Sequence, residues 1–476
     1  MRKTAREMDG KMQVTLSSTI TVENPSEELV RWCNQHLKLK NPDYSNKVRM
    51  HKWVGNTPEY LYLYEKHGNS LILPFGTLKD ILPMLKGCDF NKDFADEVDV
   101  DYNCKVPLYD YQELAVNAVI NQHYGILRSP AGSGKTQMGI SLTGRLGKRT
   151  LWLTTTKDLL NQSKTRAEQY IDNSLIGTIT EGKVDVGGGI TFATIQTMCR
   201  LDLSQYKYFW DVIIVDECHR CSGTPTAMTQ FYKVLNCLAA RRKYGLSATV
   251  HRSDGMIAAT YALLGQVVYT VPEEAVGDRI MRVGIKPVYT GIKPGRACIN
   301  TDGTLNYAKL INYLCESDAR NDIIHEYLKA ESDKSCLILS DRLEHLETLM
   351  SVLPLRMRPH AVMISGKMTT KKGKAEREKA IEDMRSGAKK YLFATYSLCK
   401  EGLDIPRLER LYMTTPVRDY AVVVQSIGRI ARVCDGKSDP VVYDFVDNST
   451  YLVKTYKQRC RHYRKAGAYF CEELTE

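Results

Sequence analysis

One segment constrains the fold more than any other. Ile126-Leu127, then Ser129-Pro130-Ala131-Gly132-Ser133-Gly134-Lys135-Thr136, then the pattern from Gln137 to Leu146 read as strand, glycine loop and helix. Gly132 and Gly134 permit backbone angles that turn amide N–H groups towards a phosphate. A helix opening at Lys135 adds the positive end of its dipole. Lys135 is placed to reach the β- and γ-phosphates of a nucleotide, and the Thr136 hydroxyl to ligate Mg²⁺. Ser129 stands where the usual pattern has glycine, which leaves the cradle formed by Pro130, Ala131, Gly132, Ser133 and Gly134 intact.

The surrounding sequence has the matching rhythm. Thr150-Leu151-Trp152-Leu153, Ile190-Thr191-Phe192-Ala193, Val212-Ile213-Ile214-Val215 and Tyr244-Gly245-Leu246 are short β-rich runs separated by helical patterns. Buried strands of a parallel sheet look like this. After about residue 279 the rhythm returns, at Ser335–Leu339, Ala361–Ile364, Tyr391–Ala394, Arg410–Met413 and Val441–Asp444. Helical patterns lie between them, such as Asp318 to Leu328 and Lys374 to Met384. The reading is α/β: two tandem doubly wound parallel-sheet domains, at 105–278 and 279–476, behind a small N-terminal α+β region, 1–104. That region ends in an acidic stretch, Asp93 to Asp101, which reads as a linker.

Two further motifs carry chemistry. Asp216-Glu217-Cys218-His219 follows a strand, at the edge where open α/β sheets bind ligands. Asp216 is the residue to hold Mg²⁺, Glu217 the one to polarise an attacking water, and His219 faces the γ-phosphate side. Later, Gln425-Ser426-Ile427-Gly428-Arg429-Ile430-Ala431-Arg432 sets Gln425, Gly428, Arg429 and Arg432 on one side of a helix by spacings of three and four. The arginine forks suit stabilisation of a transferring phosphoryl group, and alone they would read as a basic surface helix.

Composition narrows the class. The net charge of +11 suits a polyanionic partner. Fourteen cysteines lack framework spacing, and the pair Cys218 and Cys221 has no further ligands at zinc spacing, so reduced thiols are expected. No signal peptide and no apolar run of the ~20 residues a membrane helix requires is visible, so a cytoplasmic protein is expected.

In this order the motifs resemble those of superfamily 2 helicases, from about Leu108 to Asp447. Tyr109-Asp110-Tyr111-Gln112 is similar to the adenine-recognition segment, with Gln112 in the glutamine position. Leu153-Thr154-Thr155-Thr156 through Gln162 is similar to motif Ia, and Ala193-Thr194-Ile195-Gln196-Thr197 to motif Ic, both contacts to a nucleic-acid backbone. Ser247-Ala248-Thr249 resembles motif III, Ser340-Asp341-Arg342 stands at motif IV, Thr395 opens the segment that leads to Gly402 and Asp404 of motif V, and Gln425 to Arg432 is motif VI. The resemblance implies two RecA-like domains and ATP with Mg²⁺. It places Gln112, Gly402 and Asp404 at the nucleotide, and Thr155, Gln162, Thr194, Gln196, Ser340, Arg342 and Thr395 at nucleic acid. Leu246 to Gly255 and the late Gln-x-x-Gly-Arg-x-x-Arg look more like XPB-type and phage UvsW-type DNA helicases than DEAD-box RNA helicases. That implies branched or forked DNA as partner, in a bacterial cell or phage-infected host. An RNA helicase and a non-catalytic nucleic-acid clamp are the alternatives.

The ends are less specific. Glu59 to Glu65, His67-Gly68-Asn69 and Ser70 to Pro74 read as a β-hairpin, with Tyr60, Tyr62 and Tyr64 on one face beside the basic Lys47 to Trp53. Either the tyrosines pack the small domain's core or they stack on bases. The resemblance favours a DNA-substrate-binding domain. Lys454 to Lys465 reads as a helix that meets phosphates or solvent, and Lys371 to Lys379 as an exposed helix.

Overall fold

The computed structural model describes residues 11–471 except 226, 251–254, 278, 279, 302, 367, 369, 401 and 402. The chain divides into two compact units, one of Met1–Pro130 and Gly134–Ala275, the other of Ala131–Ser133 and Val276–Glu476.

The first unit holds an eight-stranded sheet in the order Lys183–Asp185, Ile176–Thr180, Ile190–Thr194, Thr150–Thr154, Val212–Asp216, Arg242–Ser247, Tyr124–Arg128, Val267–Thr270. Only the first pair is antiparallel. Thr150–Thr154, Ile190–Thr194 and Val212–Asp216 are buried at every residue, as parallel strands covered on both faces must be. Arg242–Ser247 lies between Tyr124–Arg128 and Val212–Asp216, so the phosphate loop and the acidic box open from the same end of the sheet.

The N-terminal sheet of the same unit runs Glu65–His67, Ser70–Pro74, Thr19–Glu23, Gln13–Leu16, Asp89–Lys92. It shares a core with the helix Ile257–Leu264, where Met256, Ala259 and Ala262 pack among Val22, Leu71, Phe75 and Ile81. Gly76 meets that helix so closely that a Cβ would stand 2.4 Å from the Tyr261 carbonyl oxygen.

The acidic stretch expected to be a linker is docked instead. Asp93 accepts hydrogen bonds from Lys207 Nζ (2.8 Å), Tyr208 Oη (2.6 Å) and Ser17 Oγ (2.8 Å), which hold its carboxyl down at about 2. Glu97 pairs with Arg242 and Lys148, and Asp99 with Lys148. Its acids answer cations of the large sheet, which composition alone does not reveal.

The hairpin is shorter than expected: Glu65–His67 pairs with Ser70–Pro74, while Tyr60–Tyr62 pairs with Lys38–Lys40. Alternation decides the tyrosine question for two of the three. Leu61 and Leu63 enter the core, and Tyr60 and Tyr62 are exposed with Lys38 Nζ 4.2 Å and 5.7 Å from their ring centroids.

The second unit is a seven-stranded sheet, Ala361–Ile364, Tyr391–Thr395, Cys336–Ser340, Arg410–Met413, Val441–Val446, Gly284–Tyr289, Tyr469–Phe470, with every neighbouring pair parallel. Sequence reading missed Gly284–Tyr289 because Pro287 interrupts it. The Ile285 carbonyl faces the short neighbour Tyr469–Phe470, by accepting from the Cys471 N–H. Pro287 has the same parity and lies beyond that neighbour's register, so its missing N–H leaves no ladder bond unmade.

The C-terminal helix Thr450–Lys465 presents neither of the faces expected at Arg459 and Tyr463. Arg459 grips Asp444 with two 2.8 Å bonds, Tyr463 Oη adds a third at 2.6 Å, and all three side chains are buried. No helix among the described residues is long and apolar enough to cross a membrane.

Candidate nucleotide site and its couplings

The phosphate loop has the expected conformation. Gly132 and Gly134 have φ of 84° and 82°, and the helix Lys135–Leu146 starts directly after them. The positive φ is what favours glycine at 134, and a Cβ there would also displace Gln112 Nε2, 2.4 Å away. Gln112 is buried behind the loop, and its Oε1 accepts from the Tyr109 N–H at 3.0 Å. The Ser129 N–H donates to the Ser247 carbonyl at 3.0 Å, tying the loop to the adjacent strand. Ser129 and Ser133 are buried, while Pro130, Ala131, Lys135 and Thr136 are half-buried.

Asp216 ends its strand, and Glu217 follows with φ 49°. A left-handed glutamate is an uncommon conformation of the kind found at functional sites. Its N–H donates to Asp216 Oδ1 at 2.9 Å. Burial, then the charge of Glu217, push the Asp216 carboxyl well above the usual carboxylate range, and Lys135 draws it back. Two acids this buried call for a further positive charge, so the donor set of Asp216 and Thr136 fits Mg²⁺.

His219 is buried beside Ser247. Its Nδ1 lies 2.9 Å from Ser247 Oγ and 3.3 Å from Glu217 Oε2. Ser247 Oγ donates to the Thr249 carbonyl at 2.5 Å, so the imidazole donates from Nδ1. The acidic box is thereby joined to Ser247-Ala248-Thr249. Cys218 and Cys221 are buried in the core of the same sheet.

Thr155 is the meeting point of the expected backbone-contacting motifs. Arg220 Nη1 donates to Thr155 Oγ1 at 3.0 Å, and Gln196 Nε2 donates to the Thr155 carbonyl at 2.7 Å. Thr194 is buried with Oγ1 on Thr197 Oγ1 at 3.0 Å, so its hydroxyl is turned inward rather than towards a ligand. Gln162 is half-buried on the helix Lys157–Ala167. Sequence reading did not single out Arg220, although it directly follows His219, and it placed Ser247 in a motif expected to link hydrolysis to strand binding without naming the histidine as its partner.

In the second unit, the helix Tyr420–Ile430 carries Gln425, buried, and Arg429, whose Nη1 donates to the Leu403 carbonyl at 2.9 Å. Arg432 does not share its face. The helix ends at Ile430, and Arg432 forms a β-bridge with Ile280, so the spacing of three and four fails at its last member. Asp404, expected at the nucleotide, is paired with Arg432. Gly402 lies outside the described residues.

Ser340, expected at nucleic acid, is fully buried. It accepts from the Arg342 N–H at 3.1 Å and donates to His345 Nδ1 at 3.0 Å, so it shapes the turn from within. His345 Nε2 in turn meets Asn321 Oδ1 at 2.9 Å. Arg342 is half-buried, with Nε on Asn312 Oδ1 at 2.9 Å, and Thr395 Oγ1 lies 2.9 Å from Ser397 Oγ.

Comparison with known proteins agrees with this division. Residues 105–252 match the type III restriction enzyme res subunit family, and residues 319–434 match the helicase conserved C-terminal domain. A probable helicase, D10 of Escherichia phage T5, is 25% identical over 72% of this chain and 72% of its own. The DNA 3'-5' translocase XPB2 of Sulfurisphaera tokodaii is 27% identical over 70% of this chain and 80% of its own. The crystal structure of T4 UvsW aligns over 97% of this chain and 98% of its own, at 17% identity and a TM-score of 0.42.

Proposed function

The chain belongs to the superfamily 2 helicases, and from that premise we propose that it is an ATP-driven DNA motor that remodels forked or branched DNA. The observation that carries the motor reading is the wiring at Thr155. Arg220, three residues after the catalytic glutamate, and Gln196 of the expected backbone-contacting segment converge on that one residue. A change at the acidic box therefore reaches the segments expected on a strand through two hydrogen bonds.

Lys135, Thr136 and Asp216 hold the phosphates and Mg²⁺, and the ion, when bound, neutralises charge on the β- and γ-oxygens. Glu217 orients the attacking water and takes its proton as the water oxygen bonds to the γ-phosphorus and ADP leaves. Gln112 fixes the adenine. Arg429 on the helix, and Arg432 from beyond its end, answer the charge of the transferring phosphoryl group. Thr155, Gln196 and Arg342 contact the strand.

DNA as the polymer is supported by the net charge of +11 and by XPB2 among the relatives. Tyr60 and Tyr62, exposed beside Lys38, offer stacking faces with a cation on the separate two-stranded ribbon of the N-terminal region, which suits an unpaired strand at a fork.

The test is steady-state ATPase with no nucleic acid, single-stranded DNA, duplex DNA, a fork, a four-way junction and matched RNA. Strongest stimulation by branched DNA is expected. Strongest stimulation by RNA would make the chain an RNA helicase, and no turnover with any of them would make it a clamp.

A further inference from the structure

Lys437 belongs to none of the motifs above. It lies in the loop between the helix Tyr420–Ile430 and the strand Val441–Val446, just after the turn at Gly436 (φ 73°). Its side chain folds back beneath that helix. The ammonium donates to three main-chain oxygens: Ile430 O at 2.7 Å, Arg432 O at 2.6 Å and Pro406 O at 3.0 Å. The first two belong to the segment that carries Arg429 and Arg432. The third ends the segment Leu403 to Pro406.

Those two segments also share apolar packing, Leu403 and Ile405 with Ile427 and Ile430, and polar ties through the arginines themselves, Arg429 to Leu403 O and Arg432 to Asp404. When an arginine leaves its resting partner to meet a phosphate, its tie to the other segment is lost. Lys437 is a polar tie that remains, because its bonds involve neither guanidinium. An ammonium has three N–H groups and no acceptor, and here each has a carbonyl. The position is also the C-terminal end of a helix, where exposed carbonyls attract a cation. Burial opposes the charge and draws the group down to about 8, with Cys434 and Glu409 acting in the opposite sense.

We propose that Lys437 is a positioning residue for ATP hydrolysis, clamping the end of the arginine helix to the Leu403–Pro406 segment so that Arg429 stays aimed while its own contact is broken. The proposal rests on the reading of Arg429 as a residue that answers the γ-phosphate.

The test compares Lys437→Met, Arg429→Ala and the double variant in the full chain. Lys437→Met keeps the aliphatic stem and removes the donors. Its kcat for DNA-stimulated ATPase is expected to fall about 10²-fold, as misplacement of a catalytic group does. KM for ATP and DNA affinity without nucleotide stay within about twofold, while affinity for ADP with aluminium fluoride, a mimic of the transferring phosphoryl group, falls with kcat. In the Arg429→Ala background Lys437→Met has no further effect, because it acts through that arginine. Additive losses, or a normal kcat in Lys437→Met, overturn the proposal. An unimpaired Arg429→Ala overturns instead the reading beneath it. If Lys437→Met does not fold, Lys437→Gln, which keeps two N–H donors, carries the same comparison with a smaller loss.

Discussion

The two units secure their catalytic corners by opposite means. In the first, side chains hold side chains: His219 holds Ser247, and Arg220 holds Thr155. In the second, cations hold main-chain oxygens: Arg429 on Leu403, Arg385 on Asp404, and Lys437 on Pro406, Ile430 and Arg432. A side-chain pair needs a particular residue type at both ends, so it leaves a pattern in sequence. A carbonyl is present at every residue, so only the cation is specified and nothing marks its partner. The side-chain pairs of the first corner break when either partner changes, and the carbonyl ties of the second only when the cation does, the Arg432–Asp404 pair and the Gln196 bond to Thr155 O being the exceptions.

The largest effects test whether the first corner is the chemical one. Lys135→Ala and Glu217→Gln should each lower ATP turnover by about 10³-fold or more while DNA binding persists. Normal turnover in Glu217→Gln would remove it as the water-orienting residue. Arg429→Ala should lose about 10³-fold in kcat, the lower end of what such arginines supply. A loss confined to KM would make it a ground-state contact and dissolve the symmetry between the corners.

A smaller effect sharpens the contrast in wiring. Removing the Arg220 guanidinium in Arg220→Ala should leave ATPase without DNA within about twofold and cut stimulation by DNA about tenfold, since one charge-assisted hydrogen bond of about 1.5–3 kcal/mol is lost between acidic box and Thr155. Thr155→Val should reproduce it, as a side-chain pair demands. Equal stimulation in both variants and the parent would show that Thr155 does not carry the signal.

What could be read from sequence follows the same line. Arg410–Met413 stands where its apolar run lies, because a strand buried on both faces leaves no other composition. The phosphate loop and Asp216-Glu217 were legible because geometry demands glycine at 132 and 134 and acids at a strand end. Ser340 misled because a motif position does not say which way a hydroxyl points, and the structure turns it to His345. Arg432 misled because helical spacing was carried two residues past Ile430. The Asp93 to Asp101 stretch misled because its partners, Lys148, Lys207 and Arg242, are distant in sequence.

Lys243 asks whether a lysine on carbonyls is a catalytic device wherever it occurs. It lies on the strand Arg242–Ser247, fully buried, with Nζ on Ser18 O at 2.9 Å and Leu235 O at 2.8 Å and the Phe75 ring 5.2 Å away. It joins the N-terminal sheet to the large one and is remote in sequence from every motif residue but Ser247. Burial lowers its pKa to about 7, with Cys237 acting in the opposite sense. An unfolded lysine titrates near 10.4, so between about pH 7 and pH 10 the unfolded chain binds the extra proton and stability rises with pH. Against Lys243→Met, which cannot titrate, the parent should gain about 1 kcal/mol per pH unit between pH 8 and pH 9 in denaturation of the first unit. Its kcat should stay within about twofold. A constant stability difference would mean that the two carbonyls and the ring hold the ammonium charged throughout. A tenfold loss of kcat would mean that lysine-to-carbonyl ties tune catalysis in both units, and that the contrast between the corners lies in their visibility alone.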